Sequence, residues 1–205
     1  MLRLCRRGKS FRRWYEVAAQ QGDEADGRFR RPQLIAEPLS RTNSAPGNSR
    51  LDEVLKQIRS IVAAPEERPH RARRAAEAIR GARGYRWVGL YDVTAAEIVA
   101  VGWSGAVAPA FPRFPMDHGL NGAAVRSGRP VVVQDVSVDP RYLTTFGSTG
   151  AEAIFPVVSS STGEVIGTID AESDRTNSFT PDDEVFLSAC AIALLPLWLG
   201  QSPRA

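Results

Sequence analysis

Five side chains have the types and spacing to hold a small cation: Trp87, Tyr91, Glu152, Asp170 and Glu172. Alternate residues of a strand share a face. Tyr85, Trp87, Gly89 and Tyr91 then line one face of a first strand, with Gly89 leaving a gap between two aromatic plates. Ile166, Thr168, Asp170 and Glu172 share a face of another strand, and Glu152, Ile154, Pro156 and Val158 share one in the strand before it. If the three faces converge, they form a cup with aromatic walls and up to three carboxylates. Carboxylates accept hydrogen bonds from an ammonium, and an aromatic face attracts a cation by about 0.5–2 kcal/mol. A free amino acid, an amine or a guanidinium compound suits such a cup. Taken alone, the same spacing also fits core aromatics beside acids solvated at strand ends.

Other chemistries lack their residues. Cys5 and Cys190 are the only cysteines and His70 and His118 the only histidines. A disulfide scaffold and a cysteine-built zinc site are excluded. Cys190 lies between Ala189 and Ala191 in an apolar run, the setting of a small core hydrophobe. Ser159, Ser160 and Ser161 have no local triad partner, and Gly102, Gly105 and Gly119 lack phosphate-loop spacing. No cofactor is expected. His118 and Asp135 could reach the cup from a covering segment.

The elements that position the cup follow from periodicity. Leu51, Val54, Leu55, Ile58 and Val62 predict a helix ended by Pro65. A second helix is predicted over His70–Ala82, with Ala76, Ile79 and Ala82 inward. Strands are predicted over Tyr85–Val93, Glu97–Trp103, Pro130–Gln134, Glu152–Val158 and Glu164–Glu172, with a short helix from Gly119 to Ser127. Thr180 caps a final helix with Pro181 at its first position and acids in its first turn; Pro196 kinks or ends it near Trp198. Sequential hairpins with flanking helices predict an α+β fold: an antiparallel sheet, terminal helices on one face, and a ligand pocket on the other under the segment from Ser104 to Thr149.

Charge divides the 205 residues. Residues 1–50 hold ten Arg and one Lys against five acids; the rest hold 15 basic and 18 acidic residues, a net −3. Residues 1–50 read as a disordered basic tail or linker, 51–199 as the folded domain and 200–205 as a short tail. Within the first, Phe11–Ala19 could form a short amphipathic helix, and the opening stretch has the Arg-rich character of a targeting presequence, a dispensable tail or a basic arm. A mildly acidic body argues against nucleic acid as partner. The run Val185–Leu199 is shorter than the ~20 residues a bilayer needs, so no membrane span is expected. No signal peptide is visible, and the cytoplasm is the expected compartment. Leu194, Leu195, Leu197, Trp198 and Leu199 are apolar almost all round the last turns, which predicts a homodimer through the terminal helices.

The segments Gly84–Tyr91, Asp139–Leu143, Gly163–Ser173 and Phe179–Glu184 resemble those of a GAF domain. The resemblance runs from about Leu51 to Trp198. It implies a small-molecule sensor or a dimerisation module. Within GAF domains the chain resembles the free methionine-(R)-sulfoxide reductases: Trp87, Tyr91, Glu152 and the pair Asp170 and Glu172 match pocket positions that hold the amino acid. The family's cysteines fall at Phe111, Asn121 and Thr145 by ungapped matching, so its thiol chemistry has no residue here. No cysteine is evident in the pocket for a covalent bilin, and Asn177-Ser178 lacks the lysine of cyclic-nucleotide GAF domains. The expectation is a non-enzymatic binding or sensory domain with a small, amino-bearing ligand. The alternatives are a reductase using another cysteine and a ligand-free dimerisation module.

Overall fold

A computed structural model describes residues 46–144 and 146–199. The expectations for residues 1–45, including Cys5 and the tail, and for Thr145 and 200–205 lie outside the described residues.

The chain forms α1 (Pro46–Val62), α2 (Arg68–Arg83), β1 (Trp87–Val93), β2 (Glu97–Ser104), β3 (Arg113–Pro115), α3 (Gly119–Ser127), β4 (Val131–Val133), β5 (Ala151–Val158), β6 (Val165–Ser173) and α4 (Pro181–Leu194). Short 3-10 turns cover Val136–Val138 and Leu195–Leu197. The six strands make one antiparallel sheet in the order β3-β2-β1-β6-β5-β4. This is the expected α+β architecture.

The helix-side core explains the pattern of α1, α2 and α4. Leu55, Ile58, Ala72, Ala76, Ile79, Phe186, Leu187, Cys190 and Leu194 pack against Val88, Leu90, Phe155, Ile169 and Ala171 of the sheet. α2 stops at Gly84, whose left-handed backbone (φ 69°) returns its N–H to the Arg80 carbonyl. α4 starts in a reciprocal capping box: Thr180 accepts from the Asp183 N–H, and the Asp183 carboxylate accepts from the Thr180 N–H. It ends at Leu194 because Pro196 cannot continue it.

Several details depart from expectation. α1 begins at Pro46, so residues 46–50, read as part of the disordered tail or linker, are helical; proline is tolerated at a helix start because the first N–H groups have no intrahelical partner. β3 was not foreseen: only three residues long, it pairs Phe114 with Ile98 of β2. Tyr85 does not share the Trp87 face. Pairing of β1 with β6 begins at Trp87, and Tyr85 turns into the helix-side core, stacks on Phe179 and donates to Asp183 Oδ1 at 2.8 Å. Leu194 and Leu197 are buried in the domain's own core. Trp198 also turns inward, lying on Gly167 and donating Nε1–H to Asp92 at 2.8 Å, under the Arg68 guanidinium. Asp92 and Arg68 form an ion pair, and Arg68 Nε donates to the Leu197 carbonyl. The end of α4 is thereby tied to α2 and β1.

Candidate functional site

Strand register builds the site on the face opposite the long helices. Trp87 pairs with Glu172, Gly89 with Asp170 and Tyr91 with Thr168 between β1 and β6. Glu152 pairs with Glu172, and Ile154 with Asp170, between β5 and β6. Directly paired residues carry their Cβ atoms within about 5 Å of each other. The five side chains singled out from sequence are therefore brought together on one face of three neighbouring strands.

All five are enclosed: Trp87 is 2% exposed, Tyr91 3%, Glu152 5%, Asp170 4% and Glu172 1%. The gap expected over Gly89 is filled by the rings that flank it. A Cβ at residue 89 would lie 2.3 Å from Trp87 Cη2 and 2.8 Å from Tyr91 Cε2. Gly105 performs the same service on the other side, where a Cβ would meet Trp87 Cδ1 at 2.2 Å. Trp87 Nε1 donates to the Val107 carbonyl at 3.1 Å, Phe146 packs on the Trp87 ring and Phe114 on Tyr91. The covering segments thus hold the aromatic walls in place. Two open grooves lie elsewhere, one of about 500 Å³ between α1 and α2 and one of about 440 Å³ beside β4. We place the candidate site at the acids nonetheless, because Glu152 and Asp170 are buried with no cationic partner among the described residues, and a buried polar group without a partner calls for one.

The electrostatics of the trio are severe. Asp170 Oδ2 accepts from Asn121 Nδ2 at 3.0 Å, and Asn121 Oδ1 accepts from the Thr168 hydroxyl at 2.6 Å. Asp170 Oδ1 is buried with no hydrogen-bond partner among the described residues. Thr149 donates to Glu172 Oε2 at 2.5 Å and receives Arg86 Nη1 at 3.3 Å. Burial pushes Glu152 well above the usual carboxylate range, and Asp170, Glu172 and Asp139 add to the shift. Burial likewise raises Asp170, reinforced by Glu172 and opposed by the Asn121 amide. The Tyr91 phenol is raised by burial and then by all three acids. Such an arrangement can accept N–H bonds from a buried cation, and it repels anions.

The other sequence candidates do not join the trio. Asp135 caps the 3-10 turn at Val136–Val138, accepting from the Ser137 N–H and hydroxyl. His118 is exposed and pairs with its neighbour Asp117. Loop polar groups satisfy themselves locally when water and backbone are near. Phe111 is largely exposed, whereas Asn121 is buried against Asp170. Cys190 belongs to the helix-side core, across the sheet from the acids; burial pushes its thiol up to about 12. Sequence reasoning missed Asn121 as a partner of Asp170, and it missed Thr149 and Phe146 as the covering contacts. A polar residue at an inward position of an otherwise small, apolar α3 (Leu120, Gly122, Ala123, Ala124) was the available signal for Asn121.

Comparison with known proteins agrees with the fold. The free methionine-R-sulfoxide reductase of Neisseria meningitidis, solved in complex with its substrate, superposes with a TM-score of 0.65 at 29% identity, covering 78% of this chain and 95% of that one. The type II free methionine-R-sulfoxide reductase of Thermoplasma acidophilum superposes with a TM-score of 0.59 at 28% identity, covering 70% and 94%. GAF domain-containing protein A of Dictyostelium discoideum is 26% identical over 138 residues, 67% of this chain and 85% of that protein. Residues 50–194 match the GAF domain family along their whole length, and the chain belongs to that family.

Proposed function

We propose that this GAF domain is a non-enzymatic small-molecule-binding domain with a sensory or regulatory role, and that its ligand is small and bears an amino or other cationic group. The observation that carries the reading is the enclosed acid trio: Glu152 and Asp170 have no cationic partner among the described residues, Asp170 Oδ1 is unpaired, and Trp87 and Tyr91 lie on the same sheet face. A ligand ammonium supplies the missing charge and donors. Asn121 of α3 meets Asp170 with an amide, which has no redox chemistry, and the Cys190 thiol is held protonated across the sheet. Both features favour binding over reduction.

A second reading, free methionine-(R)-sulfoxide reduction, draws on the two reductases of 28% and 29% identity. Thermal-shift screening of free amino acids, their sulfoxides, amines and cyclic nucleotides separates the readings, together with an assay for turnover of free methionine sulfoxide with thioredoxin or dithiothreitol. A ligand at 100 times its dissociation constant stabilises by about 2.7 kcal/mol, a shift of several degrees. Glu152→Gln and Trp87→Ala abolish that shift. Turnover lost in Cys190→Ser overturns the binding reading. Cyclic nucleotides acting where amines do not overturns the cationic ligand. No shift from any compound leaves a ligand-free dimerisation module. We also propose a homodimer through the terminal helices. Its support is Val185, Ile192 and Leu199, exposed at seven-residue spacing, and light scattering at high micromolar concentration checks it.

A further inference from the structure

The acid trio must balance its charge whether or not a cation is bound. Glu152 and Glu172 are direct cross-strand partners, and Asp170 lies two residues along the same face of β6. Among the described residues, the groups facing them add no positive charge beside Glu152 or Asp170. β1 contributes the Tyr91 phenol, α3 the neutral Asn121 amide and β4 the apolar Val133. The turn after β4 contributes Asp139, itself paired with Arg141. The Arg86 guanidinium donates to the Thr149 hydroxyl, which in turn donates to Glu172. Three carboxylates this close and this buried cannot all ionise together, since like charges in a dry site favour the protonated form.

We infer that the site is a proton-for-cation exchanger: without a cation Glu152 and Asp170 keep protons, and an entering ammonium expels them, so that affinity rises with pH. The inference rests on the cationic-ligand reading above. The balance is simple. Each carboxylic O–H gives its proton to water, and the resulting carboxylate accepts an N–H bond from the ammonium, which arrives and stays protonated below about pH 8. Asp170 Oδ1 is the oxygen open to that bond, because Asn121 occupies Oδ2.

Carboxyls raised above their unfolded values make the folded protein hold more protons than the unfolded chain. The stability they carry is fully present below about pH 4, near the unfolded values, and is lost as pH climbs towards the raised folded values. This is opposite to the usual behaviour of carboxylates. Two measurements test the inference on the full chain. Calorimetric titration with free L-methionine sulfoxide at pH 5.5, 6.5 and 7.5, in phosphate and in Tris, counts protons released. The expected result is release of at least one proton and an affinity gain of about tenfold per pH unit for each proton released. Urea unfolding of the unliganded protein over the same range is expected to show an unfolding constant that rises with pH, with a shallower rise in Glu152→Gln and in Asp170→Asn. Binding with no dependence on buffer or pH overturns the exchange and leaves the ligand reading standing. No binding at any pH overturns both. Unfolding slopes equal in wild type and both variants overturn the proton-loaded state.

Discussion

Replacing Asn121 with alanine removes two hydrogen bonds at the centre of the acid trio. The amide donates to Asp170 Oδ2 at 3.0 Å and accepts from the Thr168 hydroxyl at 2.6 Å, and all three residues are buried. Truncation leaves two buried polar groups unpaired, each costing about 1–3 kcal/mol. The expected loss is about 3 kcal/mol at pH 6.5. For a domain of this size that lowers the melting temperature by about 6–12 °C. The loss also depends on pH in a known direction. Asn121 is the group that opposes the upward shift of Asp170. Without it the carboxyl rises further, so the variant falls further behind wild type as pH increases. Urea denaturation at several pH values measures this, and a cycle with Thr168→Val isolates the amide–hydroxyl bond. Contacting pairs couple by about 0.5–3 kcal/mol. A loss below about 1 kcal/mol with full additivity refutes the claim that Asn121 organises the trio, because buried hydrogen bonds cannot be removed at so small a cost.

Gly89→Ala forces a methyl to within 2.3 Å of the Trp87 ring; it is expected to cost about 1–3 kcal/mol by overpacking and to change the near-UV circular dichroism. Tyr85→Phe removes the 2.8 Å bond to Asp183 Oδ1 and is expected to cost about 1–2 kcal/mol in urea denaturation, because Thr180 still holds the other oxygen. Burial raises Asp183, but bonds from Thr180 and Tyr85 and the Arg83 charge outweigh it and hold the carboxyl below its usual value. The stability from this capping box is present above about pH 4 and is lost as pH falls through the depressed folded value, which melting curves of wild type and Asp183→Asn between pH 2 and 6 compare. Cys190, with its thiol pushed up to about 12 and fully buried, is expected to resist alkylation in native buffer and to react on unfolding.

Much of the fold was legible because its signals are local. Alternation over Thr168–Glu172, glycine at the ends of α2 and α3, and the Thr180-Pro181-Asp182-Asp183 start of α4 each depend on backbone geometry within a few residues. So does the placing of Asp170 and Glu172 on one face, which follows from the two-residue strand period. Tertiary structure decided what distance along the chain conceals. Tyr85 has the strand spacing of Trp87, yet a partner 98 residues away in α4 takes its hydroxyl to the opposite side. Trp198 has the look of a dimer contact, yet Gly167 leaves room for its ring on the domain's own sheet. β3 exists only because β2 offers it an edge. At the site, sequence named the three carboxylates, the tryptophan and the tyrosine. Only strand register put Glu152 opposite Glu172, and only the packing of α3 brought Asn121, 49 residues from Asp170, to its carboxylate. Local periodicity sets the direction a side chain points; which other charge it meets there depends on how the whole chain packs, and so does the state of its proton.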